Sequence, residues 1–319
     1  MSEVTHRAMT DADVDALVGL LQAAEAVDRT EEHYDADDLR EELADPQVDP
    51  ATDWLLAESD GRLVGFAHLA PRAAADGVQR IHVGGVVHPE HRGRGIASEL
   101  VPWAVGRARD YAAARGVRPL LSATAPDDVP HAAEVLEASG LHAHRWTFVM
   151  EADLTGALPP APPVPDGMTL HTWEGLDPEE IRATHNVAFV DHPGFAPWDA
   201  AMWQQWVTGS RNDRPAMSLL LRDADGAIAS YVQTLEYAAA QAATGRREAF
   251  VGKVGTVPGH RRQGLAGLLL RHAMHRYQQE GYVAASLDVD SENPSGANSV
   301  YEQAGFRVIR RWTNFESAG

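Results

Sequence analysis

The sequence predicts an α/β chain that carries one helix-and-strand domain twice in tandem. Three observations predict it: a length of 319 residues, a proline-rich break near the middle, and one order of elements repeated on either side of that break, with Arg92 and Gly95 matched by Arg261 and Gly264 at an offset of 169 residues. A chain of this length suits two domains of about 150 residues, each able to bury its own core. The break is Leu158 to Gly167, where prolines alternate with small residues and neither a helix nor a central strand can form. The expected division is a first domain at 1–157, a semi-rigid linker at 158–166 and a second domain at 167–319.

In the first half, helical patterns at 11–27 and 36–44 precede a strand TDWLLAES, an Asp60-Gly61 turn and a strand RLVGFAHLA. In the second half, helical patterns at 178–189 and 198–208 precede MSLLLRDA, an Asp225-Gly226 turn and AIASYVQTLEY. An apolar strand, a glycine-bearing turn and a long amphipathic helix follow in both, the helices running from Ile96 to Arg115 and from Leu265 to Glu280. Leu265, Leu268, Leu269, Ala273 and Tyr277 keep the spacing of one buried helical face. Shared order, turns and motif are the mark of duplication.

Composition excludes several classes. With no cysteine, disulfides, thiolate metal sites and a cysteine nucleophile are ruled out together. A net charge of -19 repels phosphate backbones and anionic bilayers, so neither nucleic acid nor membrane is an expected partner. The amino-terminal residues lack a basic segment followed by an apolar core, which sets the expected location as cytoplasmic. His185 and His192 do not form a helical metal-binding pair and His171, Asp288 and Asp290 suggest none, so no metal is expected.

The chemistry-bearing turns read 92-RGRGIA-97 and 261-RRQGLA-266. Glycine lets the backbone approach a ligand, and the unpaired N–H groups of a helix's first turn offer donors and partial positive charge, a combination that binds pyrophosphate. The flanking arginines add local charge. Neither a dinucleotide fingerprint nor a nucleotide-triphosphate loop is present.

A strand, then Arg-x-x-Gly-x-Ala, then a helix resembles the GNAT superfamily of acyl-CoA-dependent N-acyltransferases, in both halves. The resemblance implies two twisted, mostly antiparallel sheets flanked by helices, each splayed between its fourth and fifth strands, with acetyl-CoA as the default co-substrate in the wedge. It implies that Thr256, Val257, Arg261, Arg262, Gln263, Gly264, Leu265 and Ala266 hold the coenzyme in the second copy, and Arg92, Gly93, Arg94, Gly95, Ile96 and Ala97 in the first.

Further along, 293-NPSGANSVYEQAGF-306 places Ala297, Tyr301 and Gly305 on one helical stripe. This too is similar to the GNAT pattern, which implies that Asn293 bonds the pantetheine arm and that Tyr301 gives a proton to the departing thiolate. The first copy has Leu136 at the position of Tyr301 and no counterpart of Asn293, so it is expected to be catalytically degenerate. On the strand EAFVGKVGTVP, Glu248 shares a face with Phe250 by the two-residue period and is the candidate base, while Lys253 falls on the opposite face and is expected to reach solvent. Over the whole chain the resemblance is to tandem acyltransferases of the mycothiol synthase type, in which the fourth-strand catalytic glutamate aligns with Phe250 here.

The acceptor is expected to be the primary amine of a small molecule, held by Asp191, His192 and Trp198 in the segment His185 to Trp206. Trp203 and Trp206 are expected to serve packing. Two other readings remain open: an acyl-CoA-binding sensor without catalysis, and an acetyltransferase of protein amino termini or lysines. Two copies in one chain suggest a monomer with an internal pseudo-dimer.

Overall fold

The computed structural model describes residues 3–74, 77–129, 131–192, 195–292 and 296–317. Asn293 lies outside the described residues. The chain forms two compact units, one of residues up to Trp146 together with those from Trp312 onward, the other of Thr147–Arg311.

The first unit opens with β1 (Val4–Ala8), α1 (Val14–Asp28), α2 (Ala36–Leu43), α3 (Pro50–Asp53), β2 (Trp54–Ser59) and β3 (Arg62–Pro71). Then come β4 (Val78–Val87), α4 (Ile96–Ala113), β5 (Arg118–Pro126), α5 (Ala132–Ala138) and the beginning of β6 (Leu141–Asp153). Aspartates start the early helices: Asp35 accepts from the N–H groups of Asp37 and Asp38, and Asp49 from that of Ala51. The hairpin β2–β3 turns at Asp60 and Gly61, both at positive φ (50° and 72°), the twist that a two-residue connection requires.

The second unit contains β7 (Thr169–Thr172), α6 (Pro178–Ala188), α7 (Ala200–Trp203) running into a π-helical turn, β8 (Leu219–Arg222) and β9 (Ile228–Leu235). There follow α8 (Ala238–Thr244), β10 (Glu248–Thr256), α9 (Leu265–Gln279), β11 (Ala284–Asp290) and α10 (Ala297–Ala304). The last strand, β12 (Arg307–Ser317), ends in the first unit. The helix α8 is absent from the sequence reading.

Each unit has a mostly antiparallel sheet with one parallel pair. In the first, β1, β2, β3 and β4 are antiparallel neighbours and β4–β5 is parallel. In the second, β7, β8, β9 and β10 are antiparallel and β10–β11 is parallel. The parallel pairs are only partly zipped. Residues Val78–His82 face Arg118–Ser122 and Glu248–Phe250 face Ala284–Ser286, after which the strands separate. This opens the wedge between fourth and fifth strands in both copies.

The closing antiparallel strand is exchanged between the repeats. In the first unit β5 pairs with Trp312–Glu316 of β12; in the second, β11 pairs with Thr147–Asp153 of β6. Packing therefore changes hands at 146/147 and 311/312, not at the proline-rich segment. That segment is also no isolated spacer. His272 and His275 on α9 bond the carbonyls of Pro162 and Pro159 (both 2.8 Å), and Leu158 and Val164 pack on the core of the second unit.

Apolar clusters lie on both faces of each sheet. In the second unit Leu265, Leu268, Leu269, Ala273 and Tyr277 of α9 are buried against Val251, Leu219, Leu221 and Phe306. Fully burying each large apolar chain contributes about 1.5–3 kcal/mol. Leu269→Ala is expected to cost about 2–5 kcal/mol of stability, checked by chemical denaturation, because the well-packed site leaves a cavity.

Candidate active site

In both copies the turn entering the long helix has the same backbone. Gly93 and Gly95 have φ of +71° and +86°, and their counterparts Arg262 and Gly264 have +61° and +76°. Left-handed residues in a tight turn before a helix can aim backbone N–H groups at an anion. Both helices begin at glycine with no side-chain cap, in contrast to the aspartate caps of α2, α3, α6 and α7. A Cβ placed on Gly264 or Gly95 would meet no protein atom within 4 Å, so the space over each turn is open.

The motif arginines do a different job from the one their charge suggested. Arg261 donates from Nε to the carbonyl of Thr256 (3.3 Å), from Nη2 to that of Ala188 (3.0 Å), and from Nη1 to Asp191 (2.8 Å). Arg92 repeats the pattern, with Nε to the carbonyl of Val87 (3.1 Å) and both Nη atoms to Asp28 (2.7 and 2.6 Å). Each guanidinium thus ties the turn to the end of the first helical segment of its own copy. Arg94 donates to the carbonyl of Glu90 (2.7 Å) and Gln263 to that of Gly259 (3.3 Å).

Leu265 and Ile96 are buried in the cores, so only their N–H groups face the turn, and Ala266 and Ala97 follow on the first helical turn. The N–H of Val257 is used by the carbonyl of Ala229 (3.1 Å), and the hydroxyl of Thr256 meets Ser230 (2.9 Å).

At the fork of the second wedge, Glu248 accepts a short hydrogen bond from Ser286. Beyond it β10 has a bulge between Val251 and Lys253. The extra residue reverses the alternation, so Lys253 does not take the face expected from a regular strand. Its ammonium lies 4.9 Å from the centre of the Trp198 ring and, second to burial, helps to lower the pKa of His185. A cation over an indole is favourable by about 0.5–2 kcal/mol.

The remaining residues expected to hold the acceptor divide. His185 is buried among Phe189, Phe195, Trp198 and Trp203, its Nδ1 bonded to the Tyr231 hydroxyl (2.6 Å), and burial pushes its pKa down to about 3. It is a neutral core histidine. Asp191 and His192 are exposed, with Asp191 engaged by Arg261. Asp191→Ala is expected to weaken coenzyme affinity by no more than about fivefold, the scale of an exposed ion pair. Initial rates at varied amine should show its KM unchanged; a rise in amine KM alone would mark Asp191 as an acceptor ligand instead.

Tyr301 sits on α10, half-buried against the α9 core with its ring 6.2 Å from that of Phe306. Burial pushes its phenol up to about 12, so it is protonated throughout the neutral range. The sequence left Asp288 unassigned. It stands on the Ser286 face of β11 by the two-residue period, open to solvent yet crowded enough by protein for desolvation to raise its carboxyl to about 6. Among the described residues there is no cluster of three or more metal-ligating side chains, and no helix long and apolar enough to cross a membrane.

The chain is 30% identical over 311 residues to mycothiol acetyltransferase of Thermobispora bispora, covering 95% of each. It is 31% identical over 258 residues to mycothiol acetyltransferase of Nocardia farcinica, covering 79% of this chain and 78% of that one. Among solved structures, a GCN5-related N-acetyltransferase from Sphaerobacter thermophilus superposes with a TM-score of 0.75 at 25% identity, covering 98% and 95% of the two chains. A tandem GNAT protein from the clavulanic acid biosynthesis pathway shares the fold, with a TM-score of 0.70 at 20% identity over 99% and 98%. The acetyltransferase (GNAT) family pattern matches residues 15–140 and again 179–306. With the turn, the wedge and the family pattern each present twice, the chain is an N-acetyltransferase that belongs to the acetyltransferase (GNAT) family.

Proposed function

We propose that the second unit transfers an acyl group, acetyl by default, from CoA to the primary amine of a small molecule by direct attack within a ternary complex. The observation that carries this reading is the glycine-capped start of α9, whose first-turn N–H groups have no side-chain cap and open onto unoccluded space beside the β10–β11 wedge. Such a turn suits a diphosphate. With the diphosphate at Gly264, the wedge directs the pantetheine arm towards the fork.

An alkylammonium acceptor has a pKa of about 10 and must lose a proton before it attacks. Glu248, oriented by Ser286, takes that proton directly or through water. The nitrogen then bonds the thioester carbon, and the C–S electron pair leaves on sulfur while the Tyr301 phenol donates a hydrogen bond to it. The nitrogen's second proton reaches that sulfur through the phenol, giving amide and free thiol. Lys253 and Trp198 line the acceptor side. An acceptor of the kind used by mycothiol acetyltransferases is favoured by the similarity of about 30% over most of the chain, with Phe250 the departure at the fourth-strand acid.

Thiol release from acetyl-CoA with a panel of amines tests the reading, and a chain without cysteine contributes no background. Release stimulated by small amines supports it. Release with peptide acceptors alone would assign a protein acetyltransferase, and coenzyme binding without release would assign a sensor.

A further inference from the structure

A cavity of about 690 Å3 opens within the first unit. It runs from the Arg92–Ala97 turn along the separated ends of β4 and β5 to Glu42, His68 and His82. These three share one face of the sheet. Ala67, Leu69, Ile81 and Val83 pack towards α4, so His68 on β3 and His82 on β4 project to the opposite face, where α2 brings Glu42. His68 Nδ1 lies 3.5 Å from a Glu42 carboxylate oxygen. Across the strands its ring occupies the space a side chain at Gly84 would need, since a Cβ there would stand 2.2 Å from Nε2. The absence of a side chain at 84 lets the imidazole in.

His82 is the last residue of β4 paired with β5, its partner being Ser122, whose hydroxyl is 3.5 Å from its Nδ1. The corresponding last pair of the second unit is Phe250 with Ser286. The first unit therefore has an imidazole at the fork where the second has a phenyl ring, and a leucine, Leu136, where the second has its phenol. Leu136 lines the cavity. The polar groups are rearranged in the first unit rather than simply lost.

We propose that the first unit is a second acyl-transfer chamber, taking a primary amine with an apolar tail, in which Glu42 removes the ammonium proton and His82 serves the departing thiolate. The proposal rests on the coenzyme reading of the glycine-capped turn. Trp54 and Phe66, stacked with centroids 5.3 Å apart, form the wall for the tail. Burial pushes the Glu42 carboxyl up to about 7, against an opposing effect of Arg72, which narrows its gap to an ammonium. Burial holds His68 and His82 neutral, at about 3 and about 4. The step balances. One ammonium proton passes to Glu42, the nitrogen bonds the thioester carbon, and the C–S electron pair leaves on sulfur. A second nitrogen proton reaches that sulfur through the neutral His82, giving amide and free thiol, and Glu42 returns its proton to solvent.

The test uses the full chain with Tyr301→Phe, which slows the second unit, assayed with acetyl-CoA and aliphatic, arylalkyl and amino-sugar amines. Bound acetyl-CoA per chain is measured in parallel by calorimetry. The expected result is an amine-dependent release that persists in Tyr301→Phe and falls at least tenfold when Glu42→Gln is added, with bound acetyl-CoA unchanged. His82→Phe, which installs the residue the second unit already tolerates at that position, should lower the same release. Loss of all amine-dependent release in Tyr301→Phe while two acetyl-CoA still bind would overturn the proposal and leave the reading of the second unit standing, as would a residual release that, for every amine, is indifferent to Glu42→Gln and is lost when Gly264→Val is added. A chain that binds no acetyl-CoA would overturn both.

Discussion

Tyr301→Phe is expected to lower turnover at the second site by about 10-fold to 1000-fold, the usual scale for a general acid, with acetyl-CoA affinity almost unchanged. The ring packs on the α9 core and keeps that packing in the variant, so only the hydroxyl is removed. At about 12 the phenol stays protonated, and because the thiol at roughly 8.5 is the stronger acid it does not surrender its proton outright. It donates a hydrogen bond to the sulfur as the C–S bond breaks, and the protonated nitrogen replaces any proton it passes on. The sign of the shift makes a further check. A group that must be protonated, with its pKa raised, stays competent until pH approaches that value, so the phenol imposes no alkaline fall in rate between about pH 8 and 10. A variant with full turnover for every accepted amine would remove Tyr301 from the reaction.

Gly264→Val is expected to weaken acetyl-CoA binding by about 10-fold to 100-fold, equivalent to losing one or two charge-assisted hydrogen bonds from the turn. Two causes act together. A Cβ at this position projects into open space, which is where the diphosphate approaches, and a β-branched residue resists a φ of +76°. Because the added atoms meet no protein neighbour, the loss falls on the ligand more than on the fold. Calorimetric titration of the variant beside Gly95→Val separates the two turns. Unaltered binding in both would remove the turns from coenzyme recognition.

Much of this was legible in the sequence because the constraint is local. A turn that needs positive φ selects glycine at 95 and 264, and a helix buried along one stripe repeats Leu265, Leu268, Leu269, Ala273 and Tyr277. What stayed hidden depends on long-range geometry. The bulge before Lys253 leaves no mark on periodicity, yet it alone decides that the ammonium meets Trp198. The alanine-rich stretch Ala238–Thr244 carries no apolar stripe to announce a helix. The pairing of Arg92 with Asp28 and of Arg261 with Asp191 joins residues 64 and 70 apart, so charge alone suggested phosphate contact where the side chains lock the turn. Glu42, His68 and His82 come from three elements and share no motif.

The reciprocal loan of closing strands has a consequence for how such a protein can change. Scission at the proline stretch would strip a ribbon from both halves, leaving each with raw backbone donors and acceptors along one border. Each half by itself would lack the strand that completes its sheet, so the two copies rely on one another for a full set of backbone partners.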